Sequence, residues 1–372
     1  MSSGSYCSPK NNNEFTCFSN DDLIKIAKYI TKTTGFKIHI PNKFNRVTRQ
    51  NLWKDIKHNY NRTNTCSEDY CIINNEDIYK IIGKNSIESN FRPLKPKTWI
   101  QNNTQWLSTI DIRKVMKQYE DKYREFKFIG PTPIDFDKRF NEHVCVNNEL
   151  CDFNLGNFVK HGHTKIGTIF NLDPHNMSGS HWVSMFIDIN TGGIYFYCSY
   201  GVKPCKEIQL LMKKVFEQGN QLIVNRRLDI NKMDDMHTIA RKYKILDDYN
   251  IEVEDGKLFV KNMLLFFGNY DNNLYAYPDT HNIIKDISGN IITLVNKIPN
   301  LLHKSNVVVM KSFRPFFNNI RFQFKNTECG VYSIYFIESF LKGKTYDQIL
   351  DKIIKDNEMN KRRNIYYRPN IS

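Results

Sequence analysis

The segment Phe317–Leu341 constrains the fold more than any other part of the chain. A β-like run, FNNIRFQF, passes through the polar turn KNTE into Cys329-Gly330 and then into VYSIYFIESFL. In that last stretch Val331, Ile334, Ile337 and Phe340/Leu341 recur at helical spacing and make one buried stripe, and Gly343 ends the helix. A thiol therefore stands at or beside a helix N-terminus, where unsatisfied N–H groups and the helix dipole favour an anion. The spacing predicts a cysteine of lowered pKa, suited to be a thiolate nucleophile, with Gly330 letting a substrate backbone approach closely. The plain alternative is a small buried residue that merely opens a helix.

The remaining chain can bury such a helix. Its 372 residues are 40% hydrophobic and 13% aromatic, which excludes global disorder. The length fits one large domain or two ordinary ones, since single cores stop growing at roughly 250–300 residues. No run reaches the ~18–20 apolar residues of a membrane helix; Val307–Met310 and Met263–Phe267 are strand-sized. The start, MSSGSYCSPKNNNEF, lacks the apolar core of a signal peptide. The expectation is a soluble protein, not secreted, made in a reducing compartment. Nine cysteines, an odd number without regular spacing, exclude a complete disulfide framework. Lys and Arg number 53 against 39 Asp and Glu, a net charge of +14. That excess suits a polyanionic neighbour or simple solubility. It is diffuse, and the abundance of Asn, Ile, Lys and Tyr has the look of an AT-rich genome.

Residues 1–20 read as a polar, mobile terminus. From Asp21 a helical pattern begins, Leu23, Ile24, Ile26, Ala27 and Ile30, with Asn20-Asp21-Asp22 as N-cap and acidic first turn. Asn51–His58, Asn75–Ile82 and Ser108–Tyr123 continue in the same manner, so residues 21–125 form a mostly helical arm. The region 126–372 is different in character. Gly130-Pro131-Thr132-Pro133 punctuates it, and β-rich runs follow at Gly167–Phe170, Trp182–Ile189 and Gly193–Tyr197. The last two are joined by Asn190-Thr191-Gly192-Gly193 as an antiparallel hairpin. Glu207–Gln218 reads as helix. Residues 220–306 mix a charged helical stretch with strands at Leu258–Phe267, and further strands are expected at Asn306–Met310 and Asn319–Phe324.

A thiolate nucleophile needs a base. His181, in SGSHWVSMFIDI, stands at the mouth of a strand just after a Gly/Ser turn, where an imidazole can be held and still face a cleft. Trp182 points to the opposite face. Gln323, six residues before Cys329, can donate its amide hydrogen where an oxyanion develops, beside the backbone N–H of Cys329. A metal site is not expected. Cys145 and Cys151 with His161 and His163 have the wrong spacing for a zinc knuckle, and Cys66 and Cys71 are no better.

The motifs SGSHWVSMFIDI, YFYCSYG and QFKNTECGVYSIYFI occur in the order of the adenain/ubiquitin-like-protease group of cysteine peptidases, and the chain resembles that group. It is most similar there to the polyprotein-processing proteinase of large nucleocytoplasmic DNA viruses, of the African swine fever virus type. T-E-C-G-x-Y-S with Gln six residues before the Cys is the most specific part. The resemblance extends through CSEDYCII and GPTPIDFDKRF, leaving about 220–306 as an expansion, and the AT-biased composition is similar to that of giant amoebal viruses. It implies an α+β, papain-like fold: a central mixed sheet flanked by helices, after a helical N-terminal arm. It makes Cys329 the nucleophile, His181 the base and Gln323 the oxyanion donor, with Trp182 over a narrow Gly-Gly channel and no cofactor. The family places Asp or Asn in a Y-F-[DN]-S-x-G stretch as third triad member, and here Cys198 occupies that place. A thiol orients an imidazole poorly and cannot stabilise an imidazolium as a carboxylate does.

The resemblance implies an endopeptidase cutting after Gly-Gly in viral structural polyproteins during particle maturation, in the virion core and the host cytoplasm or virus factory. One rival is a deconjugating protease for a ubiquitin-like modifier, which also ends in Gly-Gly. Another is a catalytically weak, basic virion-core protein bound to nucleic acid. Nonspecific DNA contact is compatible with all three.

Overall fold

The computed structural model describes residues 6–11, 15–64, 68–224, 251–254, 257–260, 263–270, 273–278 and 313–370. By contact the chain divides into two units. The first comprises Met1–Gln105, Arg113–Lys122 and Asn360–Ser372; the second, Trp106–Ile112 and Tyr123–Met359. The C-terminal residues from 360 on thus belong with the helical unit, a grouping that no local pattern announces.

The first unit is built on α1 (Asn20–Thr34), α2 (Arg46–Asn61), α3 (Asp69–Ile72), α4 (Glu76–Ile82) and α5 (Lys84–Asn90). The cap of α1 lies one residue earlier than expected: the Ser19 hydroxyl accepts from the Asp22 N–H, and the Asp22 carboxylate accepts from the Ser19 N–H. Leu23, Ile26 and Ile30 of α1 meet Trp53 and Ile56 of α2 in one core. The expected mobile terminus is corrected for its described part. Phe18 is fully buried, its ring 5.7 Å from Trp53 and 4.9 Å from Phe91, and Cys7 is bonded to Cys17. Burying one Phe contributes about 2 kcal/mol towards ordering this segment.

In the second unit, β1 (Phe126–Pro133), β2 (Lys165–Asn171), β3 (Trp182–Asp188) and β4 (Gly193–Tyr197) lie side by side. The sheet continues through β5 (Ile251–Glu254), β6 (Lys257–Val260), β7 (Met263–Tyr270), β8 (Asn273–Pro278) and β9 (Arg314–Asn318) in the order β1-β2-β3-β4-β9-β7-β6-β5, with β8 on β7. Pairing is mixed: β1–β2 and β4–β9 are parallel, β2–β3 and β3–β4 antiparallel. Gly130-Pro131-Thr132-Pro133 does not interrupt the chain but lies inside β1, its register shift taken up between Ile129 and Thr132.

Helix α6 (Thr109–Lys122) leads towards β1, and α7 (Asn148–Cys151), α8 (Leu155–Lys160) and α9 (Lys206–Val224) follow along the chain. The Cys329 helix, α10 (Cys329–Leu341), is followed by α11 (Tyr346–Leu350), α12 (Asp356–Lys361) and α13 (Arg363–Tyr366). The expected single stripe on α10 is corrected: all of its residues are buried. A helix buried all round must be covered on every side. Phe340 stacks on Phe186 of β3 at 4.5 Å, and Phe336 on Tyr197 of β4 at 4.8 Å. Gly167 of β2 opens the space, because a Cβ there would stand 3.2 Å from Ile337 and 2.9 Å from Phe126. The expected strand Asn319–Phe324 is also corrected: the strand is β9, ending at Asn318, and 319–324 is irregular. Asn306–Met310 and the charged stretch of 225–250 lie outside the described residues.

Candidate active site

The ends of β3, β4 and β9 and the start of α10 converge on His181, Cys198–Gly201, Gln323 and Cys329. His181 immediately precedes β3, its carbonyl accepting from the Leu172 N–H at 2.9 Å. Its ring is held on two sides: Nε2 lies 3.4 Å from Cys198 Sγ, and the face stacks on Tyr200 with centroids 4.4 Å apart and planes 15° from parallel. Cys198, at the end of β4, therefore occupies the place of an imidazole orienter, and Nδ1 is the ring nitrogen left for another partner.

Ser199, the next residue, fixes Gln323. Its hydroxyl donates to Gln323 Oε1 at 2.6 Å, and its carbonyl accepts from the Gln323 N–H at 2.8 Å. Gln323 Nε2 donates one hydrogen to the Lys325 carbonyl, leaving its second N–H for a ligand oxygen. The loop bearing Gln323 is held from below by Asp356, whose carboxylate accepts from the N–H groups of Phe324 and Lys325 at 2.9 and 3.0 Å. Tyr332 of α10 donates to the Ile354 carbonyl at 2.6 Å and lies 3.3 Å from Asp356, so the Tyr of the T-E-C-G-x-Y-S motif braces the same loop.

The turn after β4 is equally fixed. Asn318 grips Cys198 from both sides, accepting from its N–H and donating to its carbonyl, each at 2.8 Å. Gly201 has φ +71°, and a Cβ there would stand 2.7 Å from the Ile320 carbonyl carbon. Only glycine fits. Tyr200 carries Arg321 over its ring at 5.4 Å, and Arg321 also lies over the exposed Phe324 at 5.2 Å, forming a cationic and aromatic rim.

Cys329 Sγ is faced by the backbone N–H groups of Trp182, the residue after His181, and of Gly330. The expected lowering of its pKa is corrected. Burial pushes the thiol up to about 11; those N–H groups pull the other way, and the Glu328 carboxylate adds to the rise. Desolvation of a cysteine that is 1% exposed outweighs the dipole of one helix end. Burial likewise takes His181 down to about 4. Near neutral pH both shifts favour the neutral forms, a thiol beside an imidazole.

Trp182 is buried, and its indole N–H donates to the Leu107 carbonyl at 3.0 Å. Gly330 faces Leu107 as well: a Cβ would stand 3.0 Å from that side chain, so its small size makes room for Leu107 rather than for an open cleft. Residue-level reasoning missed Tyr200, Asn318, Ser199 and Asp356. Ser199 and Tyr200 sit within the S-x-G stretch and had a local signal; the other two had none. Of the residues weighed as metal ligands, Cys145 is bonded to Cys151, and His161 Nδ1 lies 2.7 Å from the Asn157 carbonyl. Cys198, Cys205 and Cys329 are free thiols. No helix among the described residues is long and apolar enough to cross a membrane.

No protein-family model matches the chain. It is 26% identical over 376 residues to a protein of Acanthamoeba polyphaga mimivirus named as a thiol protease, covering 96% of this chain and 90% of that one. A 140-residue stretch is 26% identical to a cysteine protease of African swine fever virus, 36% of this chain and 50% of the relative. The crystal structure of the African swine fever virus protease superposes with a TM-score of 0.54 at 16% identity, covering 100% of this chain and 98% of that chain, and so shares its fold. The chain is thus similar to viral thiol proteases along nearly its whole length and shares the fold of one of them, which makes it a cysteine peptidase.

Proposed function

We propose that this peptidase cleaves viral structural polyproteins on the C-terminal side of Gly-Gly, using Cys329 as nucleophile, His181 as base and Gln323 with the Cys329 N–H as oxyanion donors. One observation carries the assignment of roles: the Cys329 sulfur rests against the N–H of Trp182, directly after a histidine whose Nε2 is already occupied by Cys198. That leaves Nδ1 to receive the thiol proton. The sulfur attacks the scissile carbonyl as the proton moves to His181, and the tetrahedral oxyanion is met by the free N–H of Gln323. The imidazolium then gives its proton to the leaving amine, and water, deprotonated by His181, hydrolyses the thioester.

Because the resting pair is neutral, charge develops only as substrate enters. Cys329 and His181 are both buried, and in such low-dielectric surroundings each donor counts for more at that moment. Glycines suit a site in which the nucleophile itself is buried, since they bring no side chain to the thiol. The charge of +14 supports work on nucleic acid inside a particle, and placement in the virion core and in the host cytoplasm belongs to the same proposal.

Several African swine fever virus relatives are named SUMO-1 cysteine protease, which makes a folded modifier ending in Gly-Gly the rival substrate. Two substrates separate the readings: an unstructured Gly-Gly-Ala linker between two carrier domains, and a ubiquitin-like modifier fused through its own Gly-Gly tail. The proposal expects the linker to be cut at least tenfold faster in kcat/KM. Preference for the modifier fusion would assign deconjugation instead.

A further inference from the structure

Arg321 is fixed at the mouth of the site by three contacts. Its Nε–H donates to the Gln323 carbonyl at 2.8 Å, and its guanidinium lies over the rings of Tyr200 and Phe324, 5.4 and 5.2 Å from their centroids. Its Nη donors meet no carboxylate or carbonyl among the described residues. The neighbouring charges are engaged elsewhere. Asp356 accepts from the N–H groups of Phe324 and Lys325, and Lys325 Nζ donates to Asn357 Oδ1 at 3.1 Å.

The side of the scissile bond that Arg321 borders follows from its stacking. His181 gives its proton to the leaving amine, so the segment released with that amine departs past the imidazole. Tyr200 stacks on the imidazole at 4.4 Å, and Arg321 lies over Tyr200 in turn. The guanidinium is therefore roughly 10 Å at most from the imidazole, the reach of about three extended residues at ~3.4 Å each. Phe324, 68% exposed beside it, adds an apolar wall. An arginine packed on rings and tied through Nε keeps its fork oriented, ready to meet a planar carboxylate with two parallel hydrogen bonds.

We propose that Arg321 sets specificity on the leaving side of the substrate, pairing with an aspartate or glutamate within the first three residues after the cut while Phe324 covers that residue's methylene groups. The proposal rests on the Gly-Gly peptidase reading and adds to it a preference for acidic released segments. A lysine at the same place is repelled, and a neutral side chain gains no ion pair.

The test is cleavage of three peptides by the full chain, identical except that Gly-Gly-Ala is followed by Asp-Asp, Asn-Asn or Lys-Lys. At low salt kcat/KM should be about fivefold higher for Asp-Asp than for Asn-Asn, the scale of one exposed ion pair, and lower again for Lys-Lys, with the differences shrinking as salt is added. Arg321→Glu should reverse the order, and Arg321→Lys, which keeps the charge but loses the fork, should retain the order with a smaller spread. The ratio between peptides within each protein is the readout, so a general loss of rate from the missing bond to the Gln323 carbonyl cancels. Equal rates on the three peptides would overturn this proposal alone. So would an Asp-Asp preference that survives Arg321→Glu, since it would then come from the diffuse charge of +14. Failure to cut any of the three would instead remove the Gly-Gly reading, and the role of Arg321 with it.

Discussion

Replacing Cys198 by Asp should convert a weakly oriented imidazole into a strongly supported one. The site is already shaped for an anion: backbone N–H groups of Tyr200, Gly201 and Val202 face the Cys198 sulfur. A carboxylate there needs no new donors. It would stand near His181 Nε2, now 3.4 Å from the sulfur. A unit charge at ~4 Å with an effective dielectric of 20 is worth about 4 kcal/mol, or about 3 pKa units. The carboxylate stabilises the imidazolium, so the shift is upwards, carrying His181 from about 4 towards roughly 7. The imidazolium also forms during acylation, so the same energy sets a ceiling of about 10³ on the gain in kcat/KM. An increase of ten- to a thousandfold is expected, read from Gly-Gly-Ala peptide cleavage between pH 5 and 9, with the His181 titration followed by NMR. A folded Cys198→Asp protein with an unmoved His181 titration and an unchanged or lower kcat/KM would refute the reasoning.

Ser199→Ala removes the hydroxyl that aims Gln323; kcat should fall about 10- to 100-fold with KM little changed, and a change confined to KM would argue against an oxyanion role. Gly201→Ala forces a side chain at φ +71° onto the Ile320 backbone, and urea unfolding should show a loss of about 2 kcal/mol or more; a neutral result would contradict the packing. His181 has a folded pKa lowered to about 4 against 6.5 unfolded. Its contribution is therefore complete above pH 6.5 and lost as pH falls towards 4, by about 3 kcal/mol. Asp69, raised to about 6 by burial, titrates in the opposite sense over the same range. The effect is accordingly read as the stability difference between wild type and His181→Gln, which should shrink by that amount from pH 7 to 4 and would count against a buried neutral imidazole if flat.

Local patterns reveal what local forces determine. The β3–β4 hairpin is readable because alternation and a Gly-rich turn act over a few residues. The pairing of Cys198 with His181 can be anticipated because both lie on that hairpin, and the motif order carries the family. What escapes is set by distance in sequence. Asn318 acts on Cys198 from 120 residues away, and Asp356 on Phe324 from 32. The thiol pKa escapes for a similar reason: the dipole of α10 is visible in the sequence, whereas the desolvation that overrides it comes from the tertiary environment. A single stripe on α10 is likewise too narrow an inference, since only the fold reveals that a helix is covered on every side. Cys7 and Cys17 give no sign of pairing, being separated by ten residues without a recognisable spacing.

The central claim is that Cys329 attacks a Gly-Gly carbonyl with His181 as its base. Its most direct measurement is the intact mass of the full chain after exposure to a peptide ending in Gly-Gly vinyl methyl ester, under reducing conditions that leave Cys198 and Cys205 free to compete. A single adduct is predicted on wild type and on Cys198→Ala, mapped to Cys329, absent from Cys329→Ala and much slower in His181→Ala. An adduct that persists in Cys329→Ala, or one that maps to Cys198 or Cys205, would contradict the account.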